Sequence, residues 1–294
     1  MQFTTDFQNA EQVVNVLNRA GEYCLGEAYR DKSVVRLPDK GRLLATGDLH
    51  DNPFHLDAIL KLAKLDASTD HHVYFHELIH GENFINGLDY SHRMLIKVAE
   101  LKAKYPDQVH LILANHEIAQ MTGAGVSKGA GDCTALFNDA VDQVYGDHAE
   151  DVRSAINAFI RSWPIALVTA SGILCSHSVP ATHALDRFDA KLLERNLTDA
   201  DFQSPDGSAY LMVWGRNHSG AHLDRLAELF GVEAFILGHE PAETGYEPVG
   251  SRGLVLNSDH ESGAVVTIDL AESPPKRDEW LWAVTPLRSV LETG

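Results

Sequence analysis

The sequence predicts an α/β fold in which helices pack against two β-sheets. In the first half of the chain, short apolar runs alternate with helical segments, and each run ends in a polar cluster. The second half holds short apolar runs separated by turns, which is typical of a more antiparallel sheet. With 294 residues, of which 44% are hydrophobic, the chain is long enough to form one large domain with a substantial core.

The N-terminal segment is expected to be helical. Valine and leucine recur at helical spacing from about residue 10 to residue 30. We expect residues 1–40 to form a helical extension and residues 41–294 to form a single domain. The first residues lack a basic start followed by an apolar run, so no signal peptide is expected. No run of about 18 apolar residues occurs, which argues against a membrane span.

Three units of strand, polar cluster and helix follow this segment. The predicted strands are 42–45, 73–75 and 109–113, and the predicted helices between them are 53–64 and 91–105. Such alternation implies parallel strands connected by helices. Because open α/β sheets bind ligands at the carboxyl ends of their strands, we expect the polar clusters to meet there.

The remaining short strands are expected to form the second sheet, facing the first. Their predicted ranges are 165–169, 173–175, 235–237, 253–256 and 264–270, with a helix at 223–230. His177 and His239 follow two of these apolar runs. The glycine-rich piece 122–131 is expected to be a mobile loop.

The side chains at the strand ends are suited to binding divalent metal ions. Asp48 and His50 flank Leu49, and alternate residues of an extended segment point the same way. Asn115 and His116 follow another strand. With the two histidines of the second half, they offer oxygen and imidazole but no thiolate, a set that suits Mn, Fe or Zn. Each alone could be a turn former, a helix cap or a structural histidine, so the prediction depends on their combination.

These clusters resemble the motifs of the calcineurin-like metallophosphoesterases, and in particular those of the phosphoprotein phosphatases. Gly47-Asp48-Leu49-His50 resembles their G-D-x-H motif, and Leu113-Ala114-Asn115-His116-Glu117 resembles G-N-H-E. Two later segments of the family resemble Trp163-Pro164-Ile165-Ala166 with Cys175-Ser176-His177, and Gly238-His239-Glu240 with Thr244-Gly245-Tyr246-Glu247. The resemblance extends from about residue 43 to residue 270. It implies an α/β/β/α sandwich of two mixed sheets flanked by helices.

The resemblance also implies two divalent metal ions and a phosphorylated substrate. The implied ligands, one group at each strand end, are Asp48 and His50 for the first ion and Asn115, His177 and His239 for the second. Asn115 would also contact the substrate. A hydroxide held between the metals would attack phosphorus, and His116 would be the general acid that protonates the leaving group.

The second motif departs from the family pattern G-D-x-x-D-R-G. Glu77 stands where the family has the Asp that bridges both metals, and a Glu can bridge them as well. His80 stands where the family has the Asp that orients the catalytic histidine, and Gly81 stands where it has a phosphate-binding Arg. Arg216 is the best substitute for that arginine, with a plain surface arginine as the alternative. A shift by one residue would put His76 in the bridging place, where a neutral imidazole could not join two cations.

Three interpretations of function stay open at this stage. The first is a phosphoesterase acting on phosphomonoesters, including a Ser/Thr- or Tyr-phosphoprotein phosphatase. The second is a degenerate relative that binds metal or a phosphorylated ligand without turnover, which the loss of the family's Arg and Asp favours. The third is a zinc protease, because residues 76–80 match its H-E-x-x-H signature, although an apolar run typical of a strand leads into them.

Composition restricts the classes of binding partner and the expected cellular location. The net charge of −18 argues against a nucleic-acid partner. A bound pair of divalent metals would reverse the sign locally and admit a phosphorylated substrate. The three cysteines are scattered and fit neither a disulfide framework nor a CxxC metal site, which favours a reducing, cytoplasmic location.

Overall fold

Two mixed β-sheets form the centre of the structure, a computed structural model that describes residues 3–125, 127–128, 131–276 and 279–291. The strands, in chain order, are β1 (Arg30–Asp31), β2 (Val34–Leu37), β3 (Arg42–Thr46), β4 (His71–Phe75), β5 (Val109–Leu111), β6 (Ser127–Lys128), β7 (Gly131–Asp132), β8 (Ala166–Thr169), β9 (Ile173–Ser176), β10 (Ala234–Leu237), β11 (Tyr246–Val249), β12 (Gly253–Leu256), β13 (Ala264–Asp269) and β14 (Val284–Pro286).

Helices flank the two sheets. They are α1 (Ala10–Leu25), α2 (Pro53–Ala63), α3 (His92–Lys104), α4 (Asn115–Thr122), α5 (Cys133–Tyr145), α6 (Ala149–Arg161), α7 (Ser208–Trp214), α8 (Gly220–Phe230), α9 (Trp280–Ala283) and α10 (Arg288–Leu291). Short 3-10 helices are Leu65–Ala67, Gly146–His148, Thr182–Ala184, Ala190–Glu194 and Asp199–Phe202.

The five-stranded sheet has the order β14-β13-β3-β4-β5. Strands β3, β4 and β5 are parallel, as the repeated strand–helix alternation predicted. The seven-stranded sheet has the order β1-β2-β8-β9-β10-β12-β11 and mixes parallel with antiparallel pairs. The predicted fold of two mixed sheets flanked by helices is therefore confirmed.

Membership of the sheets differs from the sequence expectation at β13 and β2, and the sequence analysis also missed β1, β11 and β14. Strand β13 was expected in the second sheet, but it pairs antiparallel with β3 in the first. Strand β2, which the sequence analysis missed, pairs parallel with β8 in the second sheet. The chain crosses between the sheets beside Gly47, where an added Cβ would lie 2.2 Å from the carbonyl oxygen of Leu256. Only glycine fits this crossing, which brings β3 and the end of β12 together.

The core between the sheets is made by alternate residues of facing strands. Leu43, Ala45 and Tyr74 from the first sheet join Cys175 and Ile236 from the second in one buried cluster. The intervening residues of the same strands pack against the helices. Because the central strands are buried on both faces, they are continuous apolar runs in the sequence.

The N-terminal helix is shorter than predicted, since it ends at Leu25 instead of near residue 30. The amide of Gly26 caps it by donating to the carbonyl of Glu22, and the chain then enters β1 and β2. Helix α1 packs against α3 and α6, and β1 and β2 extend the seven-stranded sheet. The boundary at residue 40 stays a prediction.

Two further expectations concern loops and membranes. The predicted mobile loop 122–131 includes positions 126, 129 and 130, which lie outside the described residues. Within the rest of it, β6 and β7 pair as a small antiparallel sheet. In the described part of the chain, no helix is both long and apolar enough to cross a membrane.

Candidate active site

The polar residues that follow five strands lie together at one end of the two sheets. Asp48 follows β3, Glu77 follows β4, Asn115 opens α4 after β5, His177 follows β9 and His239 follows β10. The parallel arrangement of β3 to β5, and of β9 with β10, directs these ends to the same edge. The structure therefore brings together the residues that the sequence selected as metal ligands.

Three candidate donor atoms converge on the Nε2 atom of His177, which is itself a fourth candidate donor. The Oδ1 atom of Asn115 lies 2.6 Å from it, and the Nδ1 atom of His239 lies 3.0 Å from it. The Oε2 atom of Glu77 lies 3.8 Å from it. One proton on His177 could satisfy only part of this set, whereas a cation among the four atoms would receive a lone pair from each. The donor set of oxygen and imidazole fits a divalent metal ion.

Glu77 lies between His177 and a second group that contains His50 and His116. Its Oε1 atom is 3.7 Å from His116 Nε2 and 4.0 Å from His50 Nε2. The carboxylate of Asp48 also approaches His177, with its Oδ1 atom 3.5 Å from the Nδ1 atom of that ring. A carboxylate whose two oxygens face different groups is suited to joining two cations. This is the role that the sequence comparison assigned to Glu77.

The backbone at these strand ends is held in unusual conformations. His50, Glu77 and His239 have φ values of +42°, +48° and +66°, which place them in the left-handed region. Such conformations are disfavoured for residues with a Cβ and are found preferentially at functional sites. The carbonyl of Glu77 accepts the amides of Leu49 and His50, at 3.1 and 2.8 Å, and so locks the first two motifs together.

Burial and neighbouring charges set the protonation of the candidate ligands. Burial alone would raise the pKa of Asp48, but the adjacent His177, His76 and His50 outweigh it and hold the pKa below its usual range. Burial lowers the pKa of His239 to about 2. The site thus combines an ionised carboxylate with a neutral imidazole, which are the forms that bind metal ions.

Comparison with known proteins decides the family. A family model described as calcineurin-like phosphoesterase matches residues 41–243, which is more than half of the chain. The chain belongs to the calcineurin-like phosphoesterases. The predicted family and enzyme class, a metal-dependent phosphoesterase, are confirmed, and the family implies divalent metal ions. Two groups of side chains each offer donor atoms within 4.8 Å of one another, Asp48 with His76 and His177, and His50 with Glu77 and His116.

Solved structures show the same fold. A protein serine/threonine phosphatase from Saccharomyces cerevisiae is 17% identical, with a TM-score of 0.64 over 88% of this chain and 82% of the other. A cold-active protein-tyrosine phosphatase from a psychrophilic Shewanella species is 14% identical, with a TM-score of 0.56 over 85% of this chain and 80% of the other. No curated protein sequence matches the chain significantly.

The zinc-protease alternative is wrong for this phosphoesterase. Residues 76–80 do not form a helix but an irregular turn after β4, in which Glu77 and His80 both have positive φ. The two histidines of the motif face different partners, since His76 contacts His177 and His80 contacts Asp89. They therefore cannot bind one zinc ion from successive turns of a helix.

His76 has a supporting position that the sequence analysis did not assign. Its Nε2 atom lies 3.2 Å from the carbonyl oxygen of Thr46, and its Nδ1 atom lies 3.0 Å from Nδ1 of His177. The carbonyl can only accept, so His76 carries its proton on Nε2 and accepts a hydrogen bond from His177 at Nδ1. This leaves Nε2 of His177 with a lone pair for a metal. A backbone carbonyl gives no sequence signal, so this contact could not be foreseen.

A second missed residue is Asp89, in the loop before α3. Its Oδ2 atom lies 2.7 Å from Nδ1 of His80. The His80 ring contacts the ring of His116, with centroids 5.3 Å apart. All three side chains are buried. The sequence analysis placed His80 beside His116 but found no carboxylate behind it, because Asp89 belongs to no motif.

Gly81 and Arg216 are the two positions that bear on the missing arginine of the second motif. A Cβ at Gly81 would lie 2.2 Å from the carbonyl oxygen of His50, so no side chain fits there. Arg216 is exposed and lines an open cavity of 560 Å³ together with Asp48, His50 and His239. Its guanidinium forms no hydrogen bond or ion pair with any residue that the structure describes. Arg216 is thus a positive charge at the mouth of the site.

Glu117, the last residue of the G-N-H-E motif, supports the turn that carries Glu77. Its Oε1 atom accepts the amide of Leu78 at 2.7 Å, while Oε2 of Glu77 accepts the amide of His116 at 3.3 Å. The start of α4 and the turn after β4 are therefore bonded in both directions. Burial raises the pKa of Glu117 to about 7.

Proposed function

We propose that this phosphoesterase hydrolyses phosphomonoesters at a dinuclear metal site. The proposed ligands, all oxygen or imidazole groups at strand ends, are Asp48 and His50 for one ion, Asn115, His177 and His239 for the other, and Glu77 between them. His116 is the proposed general acid. The observation that carries the proposal is the convergence of donor atoms on His177 Nε2, next to a carboxylate that also faces His116.

The proposed division of roles follows from position and charge. A pair of divalent cations, when bound, supplies Lewis acidity and lowers the pKa of water. Asn115 would help to hold the second ion and would contact the substrate. Arg216 attracts and orients the phosphoryl oxygens from the cavity mouth. It thereby replaces the family's arginine guanidinium, which cannot fit at Gly81. His116 gives the proton at its Nε2 atom to the leaving oxygen.

Phosphoproteins are the substrate class that we favour. The two structural neighbours described above are a serine/threonine phosphatase and a protein-tyrosine phosphatase. The cavity that contains Asp48 and His239 is bordered by exposed residues, including Arg216 and Glu243, so a phosphorylated side chain of a protein can enter it. The experiment below therefore includes phosphoserine, phosphothreonine and phosphotyrosine peptides.

The test is turnover by metal-stripped protein with Mn, Fe, Zn, Ni or Mg added back separately. The substrates are p-nitrophenyl phosphate and the three phosphopeptides, and the variants are Asp48→Ala and His116→Asn. We expect metal-dependent turnover that Asp48→Ala abolishes together with metal binding. His116→Asn should keep the metal and lose turnover on the peptides, whose leaving alkoxides or phenoxide need a proton.

The outcomes separate the proposed function from its alternative. Turnover that does not depend on metal, or that survives Asp48→Ala, would overturn the proposal. Metal binding at about two ions per chain without turnover on any substrate would instead favour a degenerate relative that only binds phosphorylated ligands. Unchanged peptide turnover in His116→Asn would remove that residue from the proposed acid role.

A further inference from the structure

A buried carboxylate lies behind the proposed general acid, one histidine away. Asp89 is 3% exposed, and its Oδ2 atom is 2.7 Å from Nδ1 of His80. Its other oxygen accepts the amide of Ser91 at 2.9 Å, and the hydroxyl oxygen of Ser91 accepts the amide of His80 at 3.1 Å. These bonds fix both Asp89 and the His80 ring within one turn.

The contact with Asp89 determines which nitrogen of His80 carries the proton. An ionised carboxylate can only accept, so Nδ1 of His80 is the donor. Nε2 of His80 is then left with a lone pair. It is buried and has no hydrogen-bond partner among the residues that the structure describes. The ring that carries it contacts the His116 ring at 5.3 Å between centroids, with an interplanar angle of 51°.

We propose that Asp89 is a positioning residue that acts through His80 to aim the Nε2–H of His116 at the leaving oxygen. Asp89 holds His80 in the tautomer that accepts a hydrogen bond from Nδ1–H of His116. The Asp that orients the catalytic histidine in the family is absent from the second motif, and two side chains, His80 and Asp89, thereby replace it. This inference rests on the proposed function, in which His116 is the acid.

The proposed proton transfer takes place at His116 alone, and no proton has to pass between His116, His80 and Asp89. Nε2 of His116 gives its proton to the oxygen of the breaking P–O bond, which leaves as an alcohol or phenol. His116 keeps the proton on Nδ1, held by His80, and becomes neutral. Water returns a proton to Nε2 for the next cycle. The ring of Phe137, whose centroid lies 5.5 Å from that of the His80 ring at an interplanar angle of 80°, helps to keep His80 in place.

The experiment compares leaving groups, because a general acid matters most when the leaving oxygen needs a proton. Metal-loaded wild type and Asp89→Asn are assayed on 2,4-dinitrophenyl, p-nitrophenyl, phenyl and alkyl phosphates. Asparagine keeps an oxygen for the Ser91 amide but can donate to Nδ1 of His80, which favours the wrong tautomer. We expect kcat on phenyl and alkyl phosphates to fall about 100-fold, with little change on 2,4-dinitrophenyl phosphate or in KM.

Three further variants separate positioning from folding. Ser91→Ala removes a bond to the same turn without touching the ring contacts, and any loss it causes should be equal for all leaving groups. His80→Phe keeps the packing on Phe137 but removes Nε2, so it should show the same selective loss as Asp89→Asn, and it serves if that variant is unstable. The double variant His80→Asp with Asp89→Asn places a carboxylate directly beside His116 and should restore turnover of phenyl phosphate.

The result that overturns the inference is a loss that is equal across all leaving groups in both Asp89→Asn and His80→Phe. Wild-type behaviour of both variants would overturn it as well. If His116→Asn also lacks a selective effect on poor leaving groups, the failure belongs to the proposed function. If His116→Asn shows that effect and the other two variants do not, only the role of Asp89 fails.

Discussion

His76 and His80 flank the same turn, and the ring of each contacts a second histidine of the site. Their other hydrogen-bond partners differ. Behind His177, the ring of His76 ends at the carbonyl oxygen of Thr46, 3.2 Å away. Behind His116, the ring of His80 ends at the carboxylate of Asp89, 2.7 Å away. We call His177, His76 and the Thr46 carbonyl the carbonyl relay, and His116, His80 and Asp89 the carboxylate relay. One ends on a neutral acceptor and the other on an acceptor that carries a charge.

The difference between a neutral and a charged acceptor matches the roles of His177 and His116 in the proposed function. A metal ligand must stay neutral, and a carbonyl fixes its tautomer without favouring a charged ring. Burial lowers the pKa of His76 to about 4, so the carbonyl relay stays neutral. A general acid must point a proton at the substrate, and a carboxylate at the far end fixes that direction. The segment that matches H-E-x-x-H thus supplies one support to each half of the site.

The largest effect on turnover is expected when His177, the proposed metal ligand of the carbonyl relay, is replaced. In His177→Ala the Nε2 atom on which Asn115 and His239 converge is lost. We expect metal content to fall and kcat to drop at least about 1000-fold, since the electrostatic contribution of bound metals amounts to several kcal/mol. Elemental analysis and kinetics measure this. Asp89→Asn is the matched control and should keep its metal, so equal metal loss in both would break the distinction between the relays.

A smaller effect is expected when His76, the residue of the carbonyl relay that supports His177, is replaced. His76→Phe keeps a ring that can stack on Tyr74, 5.7 Å away, but removes the acceptor for Nδ1 of His177. We expect metal affinity to weaken about 10- to 100-fold, with kcat close to wild type at saturating metal. Metal titration of the stripped protein gives the affinity. A selective loss on poor leaving groups at saturating metal would assign His76 to the acid side instead.

Much of this site could be predicted from sequence, because ligands at parallel strand ends leave a local pattern. Asp48, Asn115 and His177 each follow an apolar run, and parallel strands place such ends at one edge. The relays left no comparable signal. The partner of His76 is a backbone carbonyl, and Asp89 lies in a loop twelve residues after Glu77 with no motif around it. Such contacts are set by the fold and not by neighbours in the sequence.

The fold was predictable to a similar depth. The alternation of β3, α2, β4, α3 and β5 predicted the parallel strands correctly. Assigning β13 to its sheet failed, because its partner β3 is more than 200 residues away and an apolar run does not reveal its partner. Strand β2 was missed because it has only four residues, one of them an exposed arginine.

Arg216 belongs to neither relay, so it should affect substrate binding separately from both. Arg216→Ala removes the exposed cation from the cavity mouth. We expect KM for phosphomonoesters to rise about fivefold, the size typical of an exposed ion pair, with metal affinity unchanged. Arg19→Ala on α1 is the control for loss of one surface charge. Identical kinetics in wild type and Arg216→Ala would show that phosphate does not contact this side chain.

The last prediction concerns stability instead of activity, at a buried histidine outside both relays. His92, at the start of α3, is 0% exposed, and neither of its ring nitrogens has a hydrogen-bond partner among the described residues. Its ring lies 5.9 Å from that of Phe137 and 5.8 Å from that of Tyr145. Phe137 also packs on His80, so His92 lines the wall behind the carboxylate relay without joining it. Burial lowers the pKa of His92 to about 3.

This pKa shift should make the fold sensitive to acid. The unfolded chain binds a proton at His92 below about pH 6.5, whereas the folded chain does not until about pH 3, so stability is complete above pH 6.5 and falls as pH drops towards 3. Between pH 6.5 and 5, wild type should lose about 2 kcal/mol of unfolding free energy more than His92→Phe, a variant that keeps the aromatic packing. Urea unfolding of the metal-free proteins at both pH values measures the difference. The same pH dependence in wild type and His92→Phe would mean that His92 binds its proton equally well in the folded and the unfolded chain, so that burial would not lower its pKa.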